Sequence, residues 1–532
     1  MDFHEVDRRY VELKRQYDSG TLSTEEFDAQ LEQLMVQDDQ GRWWTKSRET
    51  GEWHYHDGDT RVQGTSPAYQ SSPQTPSAES TPVLGGFFKF SERGTNLRTE
   101  VVAGLTTFMT MAYIVFVNPA ILGTEGTGLS VPGVFFATCI AAAAASIAMG
   151  LVANFPVALA SGLGLNAVVA FTLILGQQLP WQTAMAAVII EGLLVTILVL
   201  TNLREAVMNA IPLGLKFAIA VGIGLFIAFI GLKNAGIVAP DPVTYLRLGE
   251  FTRGPVLLAA FGLALTIALV ARGLRGGLII GILVTGLAGM IFGIVPLPDG
   301  VVSFSFDTST IGGGVLALPD ALRLSLVPII FALFMTDFFD TMGTVIAVGQ
   351  EGKLLDEEGR LPGLKRILLV DSLAAVGGGA AGASSVTSYI ESGAGVAEGG
   401  RTGLTSVVVG LLFLLALPFS PLISVIGGSV PIPNPEGGQD ILVSPVTAPA
   451  LIVVGFLMMT AVRFIPWEEA DEAIPAFLTI LTLPLTFNIS YGIGFGFISY
   501  VLIKLARGKP GEVHPLMYVV ALLFALAFLA PQ

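Results

Sequence analysis

Residues 156–166 read PVALASGLGLN and residues 377–391 read GGGAAGASSVTSYIE, and these two stretches decide the fold. Each lies in an apolar run, yet each is too short and too rich in Gly, Ser and Thr for a comfortable full-length helix. Glycine loses the most backbone freedom in a helix, and Ser and Thr hydroxyls compete for its hydrogen bonds. Both stretches are therefore expected to enter as extended strands and become half-helices near mid-membrane. Irregular backbone survives there only where protein or a water-filled cavity satisfies its polar groups. Two half-helix N-termini would turn free N–H groups and partial positive charge towards a ligand. Small-residue patterns also serve close helix packing. The recurrence of the break at matching positions, Gly162 and Gly382, favours the binding-site reading.

The surroundings call for a membrane. Of 532 residues, 52% are apolar and only 13% charged, and the mean hydropathy is +0.70. Soluble domains carry about twice that charged share. Apolar runs long enough to cross a hydrocarbon core of about 30 Å recur from Val101 onward. The expected spans are 101–122, 133–153, 156–176, 180–201, 211–232, 254–271, 276–296, 322–349, 364–381, 383–397, 399–418, 446–464, 473–506 and 514–530. This is an all-α polytopic membrane protein of fourteen spans in two halves of seven. The first and eighth spans begin roughly 220 residues apart, as do the two broken segments. An odd number of spans per half inverts the second half, the inverted repeat common in secondary transporters, whose sites lie where broken helices meet.

Lys and Arg concentrate in cytoplasmic loops. Arg204, Arg272, Arg275, Lys353, Arg360, Lys365, Arg366, Arg401 and Arg463 all fall on one side of this scheme, with Lys233, Arg247 and Arg253 as exceptions. The region 473–530 resists it, because it holds three apolar stretches where two are allowed and puts Lys504, Arg507 and Lys509 on the wrong side. A break near Pro484 would resolve the conflict.

Buried acids are the chemical signal. Asp337 and Asp340 lie in FMTDFFDTMGT within the eighth span, and Glu391 lies in the tenth. A carboxylate at the bilayer centre costs at least about 2.5–3.5 kcal/mol, so it lines a pathway or meets a partner. Asp337 and Asp340 are three apart and share a helix face. Burial and like charge favour the protonated carboxyl, so at least one of the three can take up and release a proton. No Lys, Arg or His stands beside them in the eighth or tenth span, which points to a proton or polar ligand rather than a fixed ion pair. For Asp340, the alternative is a hydrogen-bond acceptor between packed helices. A planar nucleobase suits such a site: carboxylates accept from its N–H groups, an Asn amide both donates and accepts, and Phe334 or Phe338 can stack on it.

These residues resemble the purine-nucleobase permeases of the second nucleobase–cation symporter family, the adenine/guanine/hypoxanthine branch within the xanthine/uracil permease superfamily. The resemblance runs from about 86 to 530, through GLTTFMTMAYIVFVNPAIL (104–122), SGLGLNAVVAF (161–171), MTDFFDTMGT (335–344), SSVTSYIESGAGVAEGGRTGLTS (384–406) and EAIPAFLTILTLPLTFNISYGIGFGFISYVLIK (472–504). It implies the uracil-permease fold, with a core domain (95–202 and 322–418) moving against a gate domain (203–321 and 419–532) in an elevator-like cycle. It places the purine between spans three, eight and ten, at Asn166, Asp337 and Glu391, with Gly164, Ser384, Ser385 and Thr387 as further lining residues, and gives Asp340 a structural or proton-coupling role. Proton symport, a homodimer formed through the gate domain and residence in the inner membrane are likewise implied. The motif Gly-Leu-Gly-Leu-Asn departs from a common methionine-containing version, and the N-terminal extension is unusual.

That extension holds much of the excess acid behind the net charge of −14. Val6, Tyr10, Leu13 and Tyr17 fall at helical spacing, and Ser23-Thr24-Glu25-Glu26 opens a second helix bearing Phe27, Leu31 and Leu34. Residues 1–36 resemble the short helical-hairpin module SHOCT. Residues 37–60 suggest an aromatic hairpin turning near Glu49-Thr50-Gly51, and 61–85 a disordered linker rich in Ser, Thr, Pro and Gln. The start MDFHEVDRRY lacks a secretory signal, so the first span is expected to direct insertion and leave the extension in the cytoplasm, where 1–60 can meet a partner. The lone Cys139 allows no disulfide within one chain and no cysteine-based metal site. No cofactor, metal or nucleic acid is expected; the partners are purine, lipid and, as coupling ion, a proton.

Other readings remain open at this point. The same fold can carry xanthine, uracil or an anion, although acids speak against an anion. An intramembrane aspartyl enzyme would need its two acids on facing helices.

Overall fold

The computed structural model describes residues 3–18, 22–32, 34–37, 42–47, 52–57, 60–63, 82–201, 211–356, 360–433 and 440–529, and comprises two units, 1–80 and 81–532.

In the first unit, helices Phe3–Asp18 and Thr24–Glu32 precede strands Val36–Gln37, Trp43–Lys46, Trp53–Asp57 and Thr60–Gln63, paired antiparallel in consecutive order. Ser23 and Glu26 form the expected capping box, the Ser23 N–H donating to Glu26 Oε2 at 3.0 Å and the Glu26 N–H to Ser23 Oγ at 3.3 Å. Val6, Tyr10, Leu13, Phe27 and Leu31 share one core with Trp44 and Trp53 of the sheet. The helical segment 1–36 and the hairpin segment 37–60 are thus one module. It extends to Gln63, past the expected linker start, because Tyr55 pairs with Val62 and His54 with Gln63. The turn at Glu49-Thr50-Gly51 and residues 64–81 lie outside the described residues.

In the second unit, eight helices among the described residues are long and apolar enough to cross a membrane, and four shorter apolar helices accompany them. Helix Pro82–Phe88 opens the unit, and Phe88 and Phe90 bury against Leu404. The first span is two helices, Leu97–Met111 and Ile114–Leu122, broken at Ala112-Tyr113. Pro119 in the second piece lacks an N–H and crowds the carbonyl one turn back.

Both glycine-rich segments adopt the expected form. Leu159–Ser161 and Val386–Ser388 are strands, paired antiparallel with Ala160 opposite Thr387. The first continues into helix Leu163–Ala167 and a wider π-helical stretch, Val168–Gly176; the second leads into Ser392–Ala397. Gly382 ends helix Leu364–Ala381 at φ 85°, a conformation open to glycine.

The expected span 473–506 is instead two helices, Ala470–Leu485 and Ile489–Ala506, which form an antiparallel hairpin with Gly492 against Leu483 and Gly496 against Thr479. The break follows Pro484: Phe487 takes φ 50°, and Asn488 caps the second helix by accepting from the Tyr491 N–H at 3.2 Å. The hairpin removes the charge conflict. Lys504 returns to the start of Ala470–Leu485, 2.9 Å from Asp471, and Arg507 reaches the same carboxylate at 2.8 Å. Gly214 packs against Glu472 and Pro466 at that end, so Lys504, Arg507 and Lys509 join the side of Arg463. Two of the exceptions on the other side are partnered: Arg253 pairs with Glu250 at 2.7 Å, and Lys233 lies over the Phe487 ring.

Candidate functional site

The strand pair fixes the site. It holds Ser161 opposite Val386, while the Gly162 N–H donates to the Ser385 carbonyl at 2.9 Å. The Tyr389 hydroxyl donates to the Ser161 carbonyl at 2.5 Å, and the Ala158 N–H to Ser392 Oγ at 3.0 Å. Asn118 spans the gap from the first span, its amide N–H donating to Thr138 Oγ at 2.8 Å and to the Ala383 carbonyl at 3.1 Å. No side chain caps helix Leu163–Ala167, so its leading N–H groups remain available. Helix Val327–Glu351 packs against this half-helix, the second strand and Ser392–Ala397, bringing spans three, eight and ten together.

Among the described residues, fourteen buried side-chain polar atoms lack a hydrogen-bond partner, and seven of them belong to five residues here: both amide atoms of Asn166, both oxygens of Asp337, Glu191 Oε1, Ser161 Oγ and Ser384 Oγ. Leaving a buried polar atom unsatisfied costs about 1–3 kcal/mol. Such a concentration marks a place where something other than this chain supplies the partners. Asn166 and Asp337 have no exposed surface.

The remaining expected residues divide by what they already bond. Glu391 Oε1 accepts from the Tyr113 hydroxyl at 2.6 Å, and the Glu391 carbonyl accepts from Thr110 Oγ at 3.3 Å. Asp340 is exposed in the isolated chain and lies in electrostatic range of Glu391, Asp371, Tyr113 and Tyr389. The Ser385 hydroxyl donates to Glu191 at 3.4 Å. The Thr387 hydroxyl already shares a hydrogen bond with Thr341 at 2.8 Å. Phe334 and Phe338 stack on each other, centroids 5.8 Å apart. Gly164 abuts Ile223 of helix Leu213–Asn234, where an added Cβ would come within 2.9 Å. Among the described residues, no ion pair involves Asp337, Asp340 or Glu391.

Sequence reasoning missed four residues here. Glu191 and Asp371 are lone acids in apolar spans, the same signal that selected Asp337. Asp371 is fully engaged, accepting from the Ser388 N–H at 2.9 Å, the Ser388 hydroxyl at 2.7 Å and Thr341 at 2.7 Å, and so pins the second strand. Tyr113 and Tyr389 gave no signal, because their roles depend on contacts 278 and 228 residues away.

Strand-interrupted spans crossing at an unsatisfied polar cluster, within a bundle of membrane-length helices, define a multi-pass membrane transporter. The chain belongs to the xanthine/uracil permease family: the model described as "Permease family" matches residues 98–495. It is a permease and not an enzyme, which closes the aspartyl-enzyme reading; Asp337 and Asp340 share one helix, Val327–Glu351, rather than facing each other. Among its relatives, the guanine/hypoxanthine permease PbuG of Bacillus subtilis is 44% identical over 83% of this chain and 99% of its own length. The adenine permease AdeP of Escherichia coli is 42% identical over 84% of this chain and 95% of its own. The transmembrane domain of the cyanobacterial bicarbonate transporter BicA shares the fold, with a TM-score of 0.51 at 14% identity, over 74% of this chain and 97% of that one.

Proposed function

We propose that this permease imports a purine nucleobase together with a proton across the plasma membrane, with its N-terminal module in the cytoplasm. The observation that carries the reading is the unpartnered pair of Asn166 and Asp337. An amide that both donates and accepts, with a carboxylate acceptor on the helix packed against its own, complements the edge of a purine, which presents N–H donors beside ring-nitrogen and carbonyl acceptors. Glu391, oriented by Tyr113, offers a second acceptor. The named relatives act on guanine, hypoxanthine or adenine.

Asp337 serves proton coupling in this reading, with Asp340 and Glu391 as the further acids around it and with Ser384 and the Leu163–Ala167 N–H groups lining the site. Gly164 against Ile223 lies at the boundary across which core (95–202, 322–418) slides on gate (203–321, 419–532), in a fourteen-span elevator that dimerises through the gate. Residues 1–60 serve as a docking module for a cytoplasmic partner. An anion cargo, as in the bicarbonate transporter, is disfavoured because the unpartnered charges here are acidic.

The test is uptake of radiolabelled hypoxanthine, guanine and adenine by cells lacking their own purine permeases, with a panel of unlabelled nucleobases as competitors. Glu391→Gln and Asp337→Asn are expected to abolish uptake while inserting normally, and a protonophore to abolish accumulation. Wild-type accumulation in both variants would overturn the site, and insensitivity to the protonophore would overturn the coupling.

A further inference from the structure

Among the described residues of the membrane unit, Glu191 is the one fully buried acid that neither the expected site nor the scaffold employs. It sits within helix Trp181–Thr201 with no exposed surface; Oε2 accepts from the Ser385 hydroxyl at 3.4 Å, and Oε1 meets no hydrogen-bond donor. Buried structural acids in this protein look different. Glu100 accepts from the Arg401, Thr402 and Thr405 N–H groups and, at 2.6 Å, from the Thr405 hydroxyl.

Helix Val327–Glu351 packs against Trp181–Thr201 and carries Asp337, both of whose oxygens lack hydrogen-bond donors, and the two carboxyl groups interact directly. Two carboxylates can only accept, and in a water-poor site like charges at contact repel strongly. One proton between them turns the repulsion into a hydrogen bond and satisfies an orphan oxygen on each side. The other charged groups facing the pair are acids: Asp371 on Leu364–Ala381, already engaged by Thr341 and Ser388, and Asp340 one turn along from Asp337. Among the described residues no Lys, Arg or His forms an ion pair with either member, so no fixed cation takes the proton's place.

We propose that Glu191 is the positioning and proton-holding partner of Asp337. This rests on the reading that Asp337 accepts a nucleobase N–H. In the empty site one proton is shared by the two carboxyl groups, taken from water on the side where the site is open. When cargo binds, the proton resides on Glu191, whose O–H donates to one oxygen of the Asp337 carboxylate while the other accepts the cargo N–H. After the site reopens on the opposite side and cargo leaves, the proton passes to water there. Only O–H bonds break and form, and one proton crosses with each neutral cargo molecule. Ser385, donating to Oε2, orients the Glu191 carboxyl.

The full-length protein in proteoliposomes provides the test, with labelled hypoxanthine as probe. Wild-type affinity is expected to weaken as pH rises, by up to about tenfold per pH unit, the limiting slope for one linked proton. Glu191→Gln keeps an N–H donor towards Asp337 but has no proton to exchange. Its affinity should become independent of pH to within about twofold, and accumulation driven by a pH gradient should collapse to exchange. Glu191→Leu, which has no donor, should bind more weakly at every pH. A purely structural role leaves the wild-type pH slope intact in Glu191→Gln, and that result, or a flat wild-type profile, overturns the proposal.

An infrared difference titration of the purified protein reads the shared proton without cargo. The protonated-carboxyl band that titrates in wild type should diminish in both Glu191→Gln and Asp337→Asn, and its persistence in both overturns the pairing. If wild-type vesicles take up no purine, the functional reading falls while the infrared measurement still decides the pair.

Discussion

Replacing Tyr113 by Phe removes one oxygen atom and tests whether Glu391 works as an aimed acceptor. Tyr113 is 2% exposed and stands at the break between Leu97–Met111 and Ile114–Leu122, where its hydroxyl reaches Glu391 Oε1 at 2.6 Å. The ring, the break and the surrounding core survive the substitution. What is lost is a short hydrogen bond to a charged group, worth about 1.5–3 kcal/mol. Thr110 still holds the Glu391 backbone at 3.3 Å, so the carboxylate stays in place but is free to turn. If the purine binds an oriented Glu391, the KM for labelled hypoxanthine should rise roughly 10- to 150-fold, since 1.4 kcal/mol is a factor of ten. Proteoliposome uptake at matched protein density measures KM and Vmax. Binding to purified Glu391→Gln and to the double variant completes the cycle, in which the Tyr113 loss should vanish once Glu391 is altered. A KM within about twofold of wild type, or losses that simply add, would refute the reasoning.

Two further outcomes test the scaffold. A Cβ added at Gly455 would run into the Gly224 carbonyl oxygen and come within 2.7 Å of Ala228 Cβ, so Gly455→Val should force apart helices Leu213–Asn234 and Ala448–Met459; overpacking of about 1–3 kcal/mol should appear as a lower unfolding temperature in detergent. Deletion of residues 1–80 should leave purine uptake intact, because the N-terminal module has its own core, whereas deletion through Phe90 should reduce folded yield, because Phe88 and Phe90 bury against Leu404; equal yields would refute that boundary.

The broken spans, the apolar runs and the placement of Asp337 and Glu391 within membrane segments were legible in the sequence, because each rests on a local signal: glycine content, run length, or an acid where acids are costly. In the C-terminal region run length alone read one span, while the conflict in loop charge pointed to the break near Pro484 that the structure shows as a three-residue turn between Leu485 and Ile489. Local signals failed among the buried acids. Glu100, Glu191, Asp337 and Asp371 are each acids in or beside apolar segments, and nothing in their neighbours along the chain separates them.

Tertiary structure separates them by long-range hydrogen bonding. Glu100 is satisfied by residues some 300 positions away and Asp371 by the strand it pins, whereas Asp337 and Glu191 are left facing each other. Likewise Thr387 matched the motif as well as Ser384, yet it bonds Thr341 while the Ser384 hydroxyl stays unpartnered. Composition and periodicity determine which segments leave water and where the backbone must break, since those are costs paid residue by residue. Which buried polar group finds a partner is decided only when distant segments pack, and an unsatisfied group is what remains for a ligand to satisfy.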